Sequence, residues 1–453
     1  AFGGAVAISG QTAIIGANAE ASNGNGLGAA YIFIRNGTTW TFQQKLTASD
    51  ASAFDAFGSS VAIDGDTAVV GAFADSTGAV SNHGSAYVFV RNGTTWTQQQ
   101  KLTASDAAAF DVFGRSVAVA SDTVAVGSPS SNIGQNNDQG ATYIFVRSGS
   151  TWSQEQKLTA NDGAALDYFG DSLALSGSTI IVGATEDTTG SNVQQGSAYI
   201  FVRTGTTWNQ QQKLTANDGA IYDFFGFSVA ISGDSAVVGT LQNVGANFQQ
   251  GSAYVFVRNG ATWTQQQKLL ASDGASNDSF GNSVAIAGNT IAVGAAGDTI
   301  GANSKQGSAY IFARSGTTWT EQQKLTASDG AANDSFGASV AISSDTVIAG
   351  ALDDMVGANQ FQGSAYFYTA GVTVSGKVAT PSGLGLRNAT VVMTDSAGVR
   401  RTATTSSFGL YSFENVLAGE NYVLGVSSKR YRFAAKSLLI TTDLANVDFV
   451  GLE

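Results

Sequence analysis

Cysteine is absent from this chain of 453 residues, which removes any disulfide framework and any thiolate metal site. Histidine occurs once, at His83, so serine- or cysteine-type nucleophilic catalysis has a single possible centre. That residue lies in the polar run Ser81-Asn82-His83-Gly84-Ser85, where a solvated side chain is expected. Charge is scarce, with Asp, Glu, Lys and Arg at 12% of residues, about half the share of an ordinary soluble domain. The balance is acidic, at a net charge of -12. No basic stripe exists to displace counterions, so nucleic acid is excluded as a partner and anionic lipid is disfavoured. No run approaches the roughly 18 apolar residues that span a bilayer, and no secretory leader is visible. Proline occurs only at Pro129 and Pro381, which suits ladders that need every N–H. No segment carries the 3.6-residue apolar period of a helix.

What is present is repetition. A Phe-Gly pair stands at Phe2, Phe57, Phe113, Phe169, Phe225, Phe280 and Phe336, at successive spacings of 55, 56, 56, 56, 55 and 56 residues. The unit starting at Phe57 breaks into four short runs of strand character: Ser60 to Ile63, Thr67 to Ala72, Ser85 to Arg91 and Thr95 to Leu102. Asp64-Gly65 and Asn92-Gly93 read as tight turns, the second as a type I′ hairpin because both residues tolerate positive φ. In the third run Ala86, Val88 and Val90 face one way and Tyr87 and Phe89 the other, so the strand is buried on both faces. The fourth run, Thr-Trp-Thr-Gln-Gln-Gln-Lys-Leu, is mostly polar and fits an outer edge, where Lys and Gln discourage stray pairing. Four strands per unit, repeated radially seven times, predict an all-β, seven-bladed β-propeller over residues 1–370.

The units resemble FG-GAP repeats, the blades of the integrin α-subunit head and of many bacterial surface proteins. The motif stands here as Phe57-Gly58 with Val70-Gly71-Ala72, and as Phe113-Gly114 with Val126-Gly127-Ser128-Pro129. Trp40, Trp96, Trp152, Trp208, Trp263 and Trp319 mark only six fourth strands, so the seventh blade is expected to lack its own. The chain opens at Ala1-Phe2-Gly3, inside a unit, and an upstream segment such as a cleaved leader is a natural expectation. Three readings follow for the open blade: an upstream segment supplies the strand, the blade has three strands, or another molecule adds one by β-augmentation. On the third reading Ser364, Tyr366 and Phe367 form the assembly edge.

From residue 371 to 453 the period vanishes. Alternating strands and turns, with turn signals at Pro381-Ser382-Gly383, Ser396-Ala397-Gly398 and Ala418-Gly419, predict a small β-sandwich of about seven strands. Gly376-Lys377-Val378, Asn388-Ala389 and Gly409-Leu410-Tyr411-Ser412-Phe413 resemble a carboxypeptidase regulatory-like domain, although Phe408 stands where that family often has Asp. Such modules serve as spacers or attachment points.

Integrin-type repeats often carry a Ca²⁺ loop, but none of the aligned turns here has three spaced carboxylates, so that site is not carried over. A second acidic pair recurs before the six Phe-Gly motifs from Phe57 onward, as in Asp50 with Asp55 and Asp106 with Asp111. These read as acceptors that fix the crossover between blades, with Ca²⁺ as the alternative, and Asp353-Asp354 are weaker candidates. No cofactor is expected, and no blade carries a distinctive catalytic set, so the chain is not expected to be an enzyme. The favoured reading is an extracellular or cell-surface structural or adhesion protein, expected in bacteria, self-assembling into filaments through the open blade, its partner itself or another surface protein. The alternative is a lectin-like propeller binding glycan or protein through the loops after each second strand, bounded by Phe73 and His83, Asp187 and Gln195, and Leu241 and Gln250.

Overall fold

A computed structural model describes the chain apart from residues 1, 21–25, 77–79, 344, 358, 360, 370–371, 396–397, 417–419, 441–443 and 453. Two of the expected turns, at Ser396-Ala397 and Ala418-Gly419, lie outside the described residues. The chain divides into two compact units, Ala1–Ile342 with Ile348–Phe367, and Tyr368–Glu453 with Ser343–Val347. No helix occurs among the described residues.

The first unit is a ring of seven antiparallel sheets. Six have four strands in sequence order and the last has three. In the second blade the strands are Ser60–Asp64, Thr67–Ala72, Ser85–Asn92 and Thr95–Leu102. Its third strand is buried on both faces, as the alternation predicts. Tyr87 and Phe89 pack with Phe57 and Leu46 on one side, while Ala86 and Val88 pack with Phe113 and Tyr143 on the other. Each blade is therefore core to both neighbours.

The ring closes by one repeated bond. Phe113 N–H donates to the His83 carbonyl, and the same bond joins Phe169 to Gln139, Phe225 to Gln195, Phe280 to Gln250 and Phe336 to Gln306. Phe2 N–H donates to the Gln362 carbonyl at 2.7 Å, so the first blade follows the seventh as those five blades follow their predecessors. Ser339 Oγ likewise donates to Gly3 O at 2.7 Å, matching Ser60 Oγ to Gly114 O at 2.8 Å. The motif glycines permit this approach. A Cβ on Gly71 would sit 2.1 Å from the Gly114 carbonyl oxygen, and Gly114 itself has φ of 91°.

The hairpins differ from the type I′ expectation. Asn92 pairs with Thr95, leaving Gly93 and Thr94 as the two loop residues, and only Gly93 has positive φ, at 63°. That is the type II′ arrangement, which demands glycine at its first central position alone. It explains why Asn, Ser and Thr all precede this glycine across the repeats.

The second unit is a sandwich of a three-stranded and a four-stranded sheet. Its strands are Val372–Ala379, Thr390–Thr394, Arg400–Thr404, Leu410–Val416, Glu420–Ser427, Lys436–Ile440 and Phe449–Val450. Val374, Val391, Met393, Phe413, Leu424 and Ile440 form the core. Tyr411 Oη donates to the Val447 carbonyl at 2.6 Å, and Thr405 Oγ1 to the Leu386 carbonyl at 2.6 Å.

Candidate functional site

The seam between two ordinary blades sets the standard. Where the second blade meets the third, Leu102 and Ala104 pack under Phe113, Tyr143, Phe145 and Trp152. The Gln100 amide clasps the main chain of Trp152, donating to its carbonyl at 2.7 Å and accepting from its N–H at 2.8 Å. Gln154 reaches back to hold Ser105 at N and Oγ, both at 3.0 Å. Lys157 and Tyr143 both donate to Asp106, at 2.7 and 2.8 Å. The fourth strand is thus an outer edge, but its Gln and Lys residues are engaged with the adjoining blades and do more than repel stray strands. The Gln–Trp clasp joins five successive pairs of blades.

Charge in these seams is set by local pairing. Burial opposes ionisation of Asp106, but hydrogen bonds from Lys157 and Tyr143 and the lysine charge hold it below the usual carboxylate value. Lys101 is also desolvated, yet Asp50 and Asp75, both within 2.7 Å of Nζ, hold it above the usual ammonium value. The second acid of each crossover behaves differently. Asp55, Asp111, Asp167, Asp223, Asp278 and Asp334 each accept a backbone N–H three residues upstream, and burial raises all six.

At the seam between the seventh and first blades the inner bonds are intact but the outer strand is missing from the described sheet. The third strand of blade seven, Ser364–Thr369, is the edge, and it carries Ser364, Tyr366 and Phe367 half-buried. Facing it, Phe2, Tyr31 and Phe33 are half-buried, whereas their counterparts Phe57, Tyr87 and Phe89 are 0–3% exposed. A cavity of about 740 Å³ lies here, lined by Phe2, Glu20, Tyr31, Phe33, Phe42 and Phe361 among others. Trp40 has no Gln clasp among the described residues and instead stacks on Phe367, with centroids 4.6 Å apart at 21°. Phe33 lies 6.2 Å from the Phe367 ring, and Phe42 in turn lies 6.0 Å from Phe33.

Three residues make this seam chemically distinct; the strand pattern pointed to Phe367, and sequence reasoning passed over Phe42 and Glu20. Phe42 replaces the Gln98 that elsewhere holds a crossover, and it is 57% exposed. Phe367 stands where other blades have Val or Ile, as at Val88. Glu20 stands at the position of Asp75 and takes both Tyr31 Oη, at 2.5 Å, and Lys45 Nζ, at 2.6 Å. Aligning the seven repeats column by column exposes each as a departure.

The loop candidates require correction. His83, Asp187, Gln195 and Gln250 are 4–5% exposed and support the loops from within. His83 was expected to be solvated. Its Nδ1 lies 2.9 Å from the Asp75 carbonyl, because the next blade's Phe113 bonds its main chain and draws it inward. Asp187 is paired with Lys213 at 2.6 Å and hydrogen-bonded to Ser197 and Tyr199. Gln195 and Gln250 accept from Asn192 and Asn247, each at 2.8 Å. Phe73 lies under the Arg115 guanidinium at 5.8 Å, and Leu241 N–H bonds the Asp223 carbonyl at 3.0 Å. Among the side chains that do face solvent on this rim are Phe54, Phe110, Leu166 and Tyr222, at equivalent crossover positions and 52–74% exposed. All four hold φ between 61° and 69°, a region that bulky residues rarely occupy.

The acidic candidates do not fit a Ca²⁺ site. Asp50 and Asp106 are already held by lysine ammonium groups, which exclude a second cation. Asp55 and Asp111 are committed to backbone N–H groups, and Asp353 accepts from Ser335 Oγ at 2.9 Å. Among the described residues no cluster of three or more His, Asp or Glu side chains is placed to hold a metal. Asp354 differs: it and Asp329 both accept from Tyr366 Oη, at 3.4 and 2.8 Å, and no ion pair reaches either among the described residues.

Comparison with known families agrees with this geometry. A model described as FG-GAP repeat matches residues 1–33, 40–89, 96–145, 152–201, 208–256, 263–312 and 319–368. One described as carboxypeptidase regulatory-like domain matches residues 373–450. No curated protein matches the chain. From residue 40 onward the repeat as matched runs from the fourth strand of one blade through the third strand of the next, so each of those six matched units spans one seam.

Proposed function

Because this chain belongs to the FG-GAP repeat family, whose repeats occur in adhesion and surface proteins, and ends in a carboxypeptidase regulatory-like domain, we propose that it is a non-catalytic structural or adhesion protein of the cell exterior. The propeller serves as a rigid module, and molecules associate by strand addition at the open edge of blade seven. One observation carries this reading: an otherwise closed ring has a three-stranded sheet beside a cavity lined with half-exposed aromatic rings. Apolar surface of this kind marks a contact site, and an unpaired sheet edge accepts a strand through main-chain hydrogen bonds. A head-to-tail contact of that type does not close on itself and builds filaments. Composition supports an exterior site, with no cysteine and little charge, and no helix among the described residues is long and apolar enough to cross a membrane. The sole histidine is buried against a carbonyl, which supports the non-catalytic reading.

The exposed rim residues Phe54, Phe110, Leu166 and Tyr222 favour a second reading, a propeller that binds glycan or protein on its loop face. Bulky side chains held at positive φ store strain, which persists where function demands it. Electron microscopy at rising concentration separates the two. Regular filaments support strand-sharing assembly. Single rings at every concentration sink it and turn attention to the rim, where a Phe110→Ala, Tyr222→Ala variant that still binds glycan arrays would dismiss the second reading.

A further inference from the structure

The ordinary seams specify what is missing from the seventh. In the second blade the fourth strand pairs with the third so that Leu102 lies opposite Ala86, Lys101 opposite Tyr87 and Gln100 opposite Val88. The corresponding positions on the open edge are Ala365, Tyr366 and Phe367. A strand entering in the same register brings its lysine to Tyr366, beside Asp329 and Asp354. In the second, fourth and sixth blades a lysine bridges this very pair of acids: Lys101 joins Asp50 and Asp75, Lys213 joins Asp162 and Asp187, and Lys324 joins Asp273 and Asp298, all within 2.7 Å. Blade seven keeps both carboxylates and the tyrosine, with no cation paired to them among the described residues.

The other side of the strand is specified as well. Its leucine and the alanine two residues on fill the place that Leu46 and Ala48 fill beneath Phe57, Tyr87 and Phe89, which here is the cavity beneath Phe2, Tyr31 and Phe33. Its glutamine meets the unclasped main chain of Trp40, as Gln44 meets Trp96. Gln323 of blade six is exposed and has no clasp partner among the described residues, whereas Gln267 holds Trp319. A tryptophan at the start of the incoming strand completes it.

Resting on the strand-accepting reading above, we infer that the seam is a sequence-selective acceptor for an extended segment of a second polypeptide, of the pattern Trp-x-x-x-Gln-Lys-Leu-x-Ala-x-Asp. The negative pair Asp329 and Asp354 selects the lysine, and the aromatic cavity selects the leucine. Charge complementarity gives the acceptor its register, and the apolar cavity gives it affinity.

The test adds a synthetic peptide with the sequence of residues 95–106 to the full chain and follows binding by calorimetry. Saturation at one peptide per chain is expected. The peptide with Lys101→Glu should bind on the order of tenfold or more weakly, and a chain with Asp329→Asn and Asp354→Asn should lose that preference. Since the chain has no cysteine, Phe367→Cys paired with a Gln100→Cys peptide should form a disulfide when oxidised by dissolved oxygen, while the same chain with a Gln99→Cys peptide should not. Absence of saturable binding, or equal binding of the Lys and Glu peptides by the unaltered chain, overturns the inference. Filaments without peptide binding would sink this acceptor and spare assembly, and peptide saturation of molecules that stay single would do the reverse.

Discussion

At the scale of single residues, two sets of aspartates with opposite titration govern how stability follows pH. Burial pushes Asp167 up to about 6; the Ala164 N–H opposes this and the Asp187 carboxylate adds to it. Its five equivalents are raised for the same leading reason. A carboxyl raised on folding binds its proton more tightly in the folded state, so its contribution falls as pH rises from the unfolded value of 3.8 through about 6. Asp50, Asp106, Asp162, Asp218 and Asp273 are desolvated too, but lysine and tyrosine hold them below 3.8, so their contribution is lost as pH falls below that value. Tm should therefore peak on the acid side of neutrality, at about pH 4–5. Asp167→Asn keeps an acceptor for Ala164 and removes the buried charge, so it should raise Tm at pH 7 and flatten the slope between pH 4 and 6. Thermal melts showing stability that climbs steadily from pH 4 to 7 would refute this division. Backbone conformation at Gly114 sets another residue-scale limit. A Cβ there would lie 2.3 Å from the Ser85 carbonyl oxygen at a φ of 91°, so Gly114→Ala should cost about 3 kcal/mol or more, read from denaturant midpoints.

At the scale of the element, the fourth strand works as a strap between neighbours. Gln100→Ala removes two hydrogen bonds to the Trp152 main chain without touching the core. It should cost about 1–3 kcal/mol, since each bond contributes roughly 0.5–1.5 kcal/mol. Trp152 is 2% exposed and packs on Leu102 and Phe113, so Trp152→Ala should cost about 3–5 kcal/mol. Trp40, half-buried and stacked on Phe367 of the open edge, should cost clearly less when replaced by Ala. Equal losses at the two tryptophans, measured in the same urea series, would mean that the last seam is as tightly packed as the rest. The strap also shows where sequence reading stopped. The strand itself was legible from Trp96 to Leu102 because its polarity and spacing recur in six units. The role of Gln100 was not, because its partner lies 52 residues away and only the ring brings them together.

At the scale of the whole molecule, the sevenfold ring was legible from the Phe-Gly spacing alone, and the absent fourth strand from the count of tryptophans. The site built around that absence was only half legible. Ser364, Tyr366 and Phe367 follow from the strand pattern, whereas Glu20 and Phe42 join them through closure of the ring, across more than 300 residues of sequence. His83 and Gln195 misled for a related reason: a polar loop reads as solvated until the next blade covers it. A ring held by repeated bonds at its seams should open first where those bonds are fewest. The inner contacts of Phe2 with Gln362 and of Ser339 with Gly3 are present at the last seam, but the strap and the Gln–Trp clasp are not among its described contacts. Local opening follows the density of buried contacts. Native-state hydrogen exchange should therefore find the Trp40 amide and the outward amides of Ser364–Thr369 exchanging roughly tenfold or more faster than Trp152 and the amides of Ser308–Ser315. Bound peptide of residues 95–106 should slow the first set and leave the second unchanged. Uniform protection around the ring, with no response to peptide, would show that the molecule is already complete at this seam and has no strand to accept.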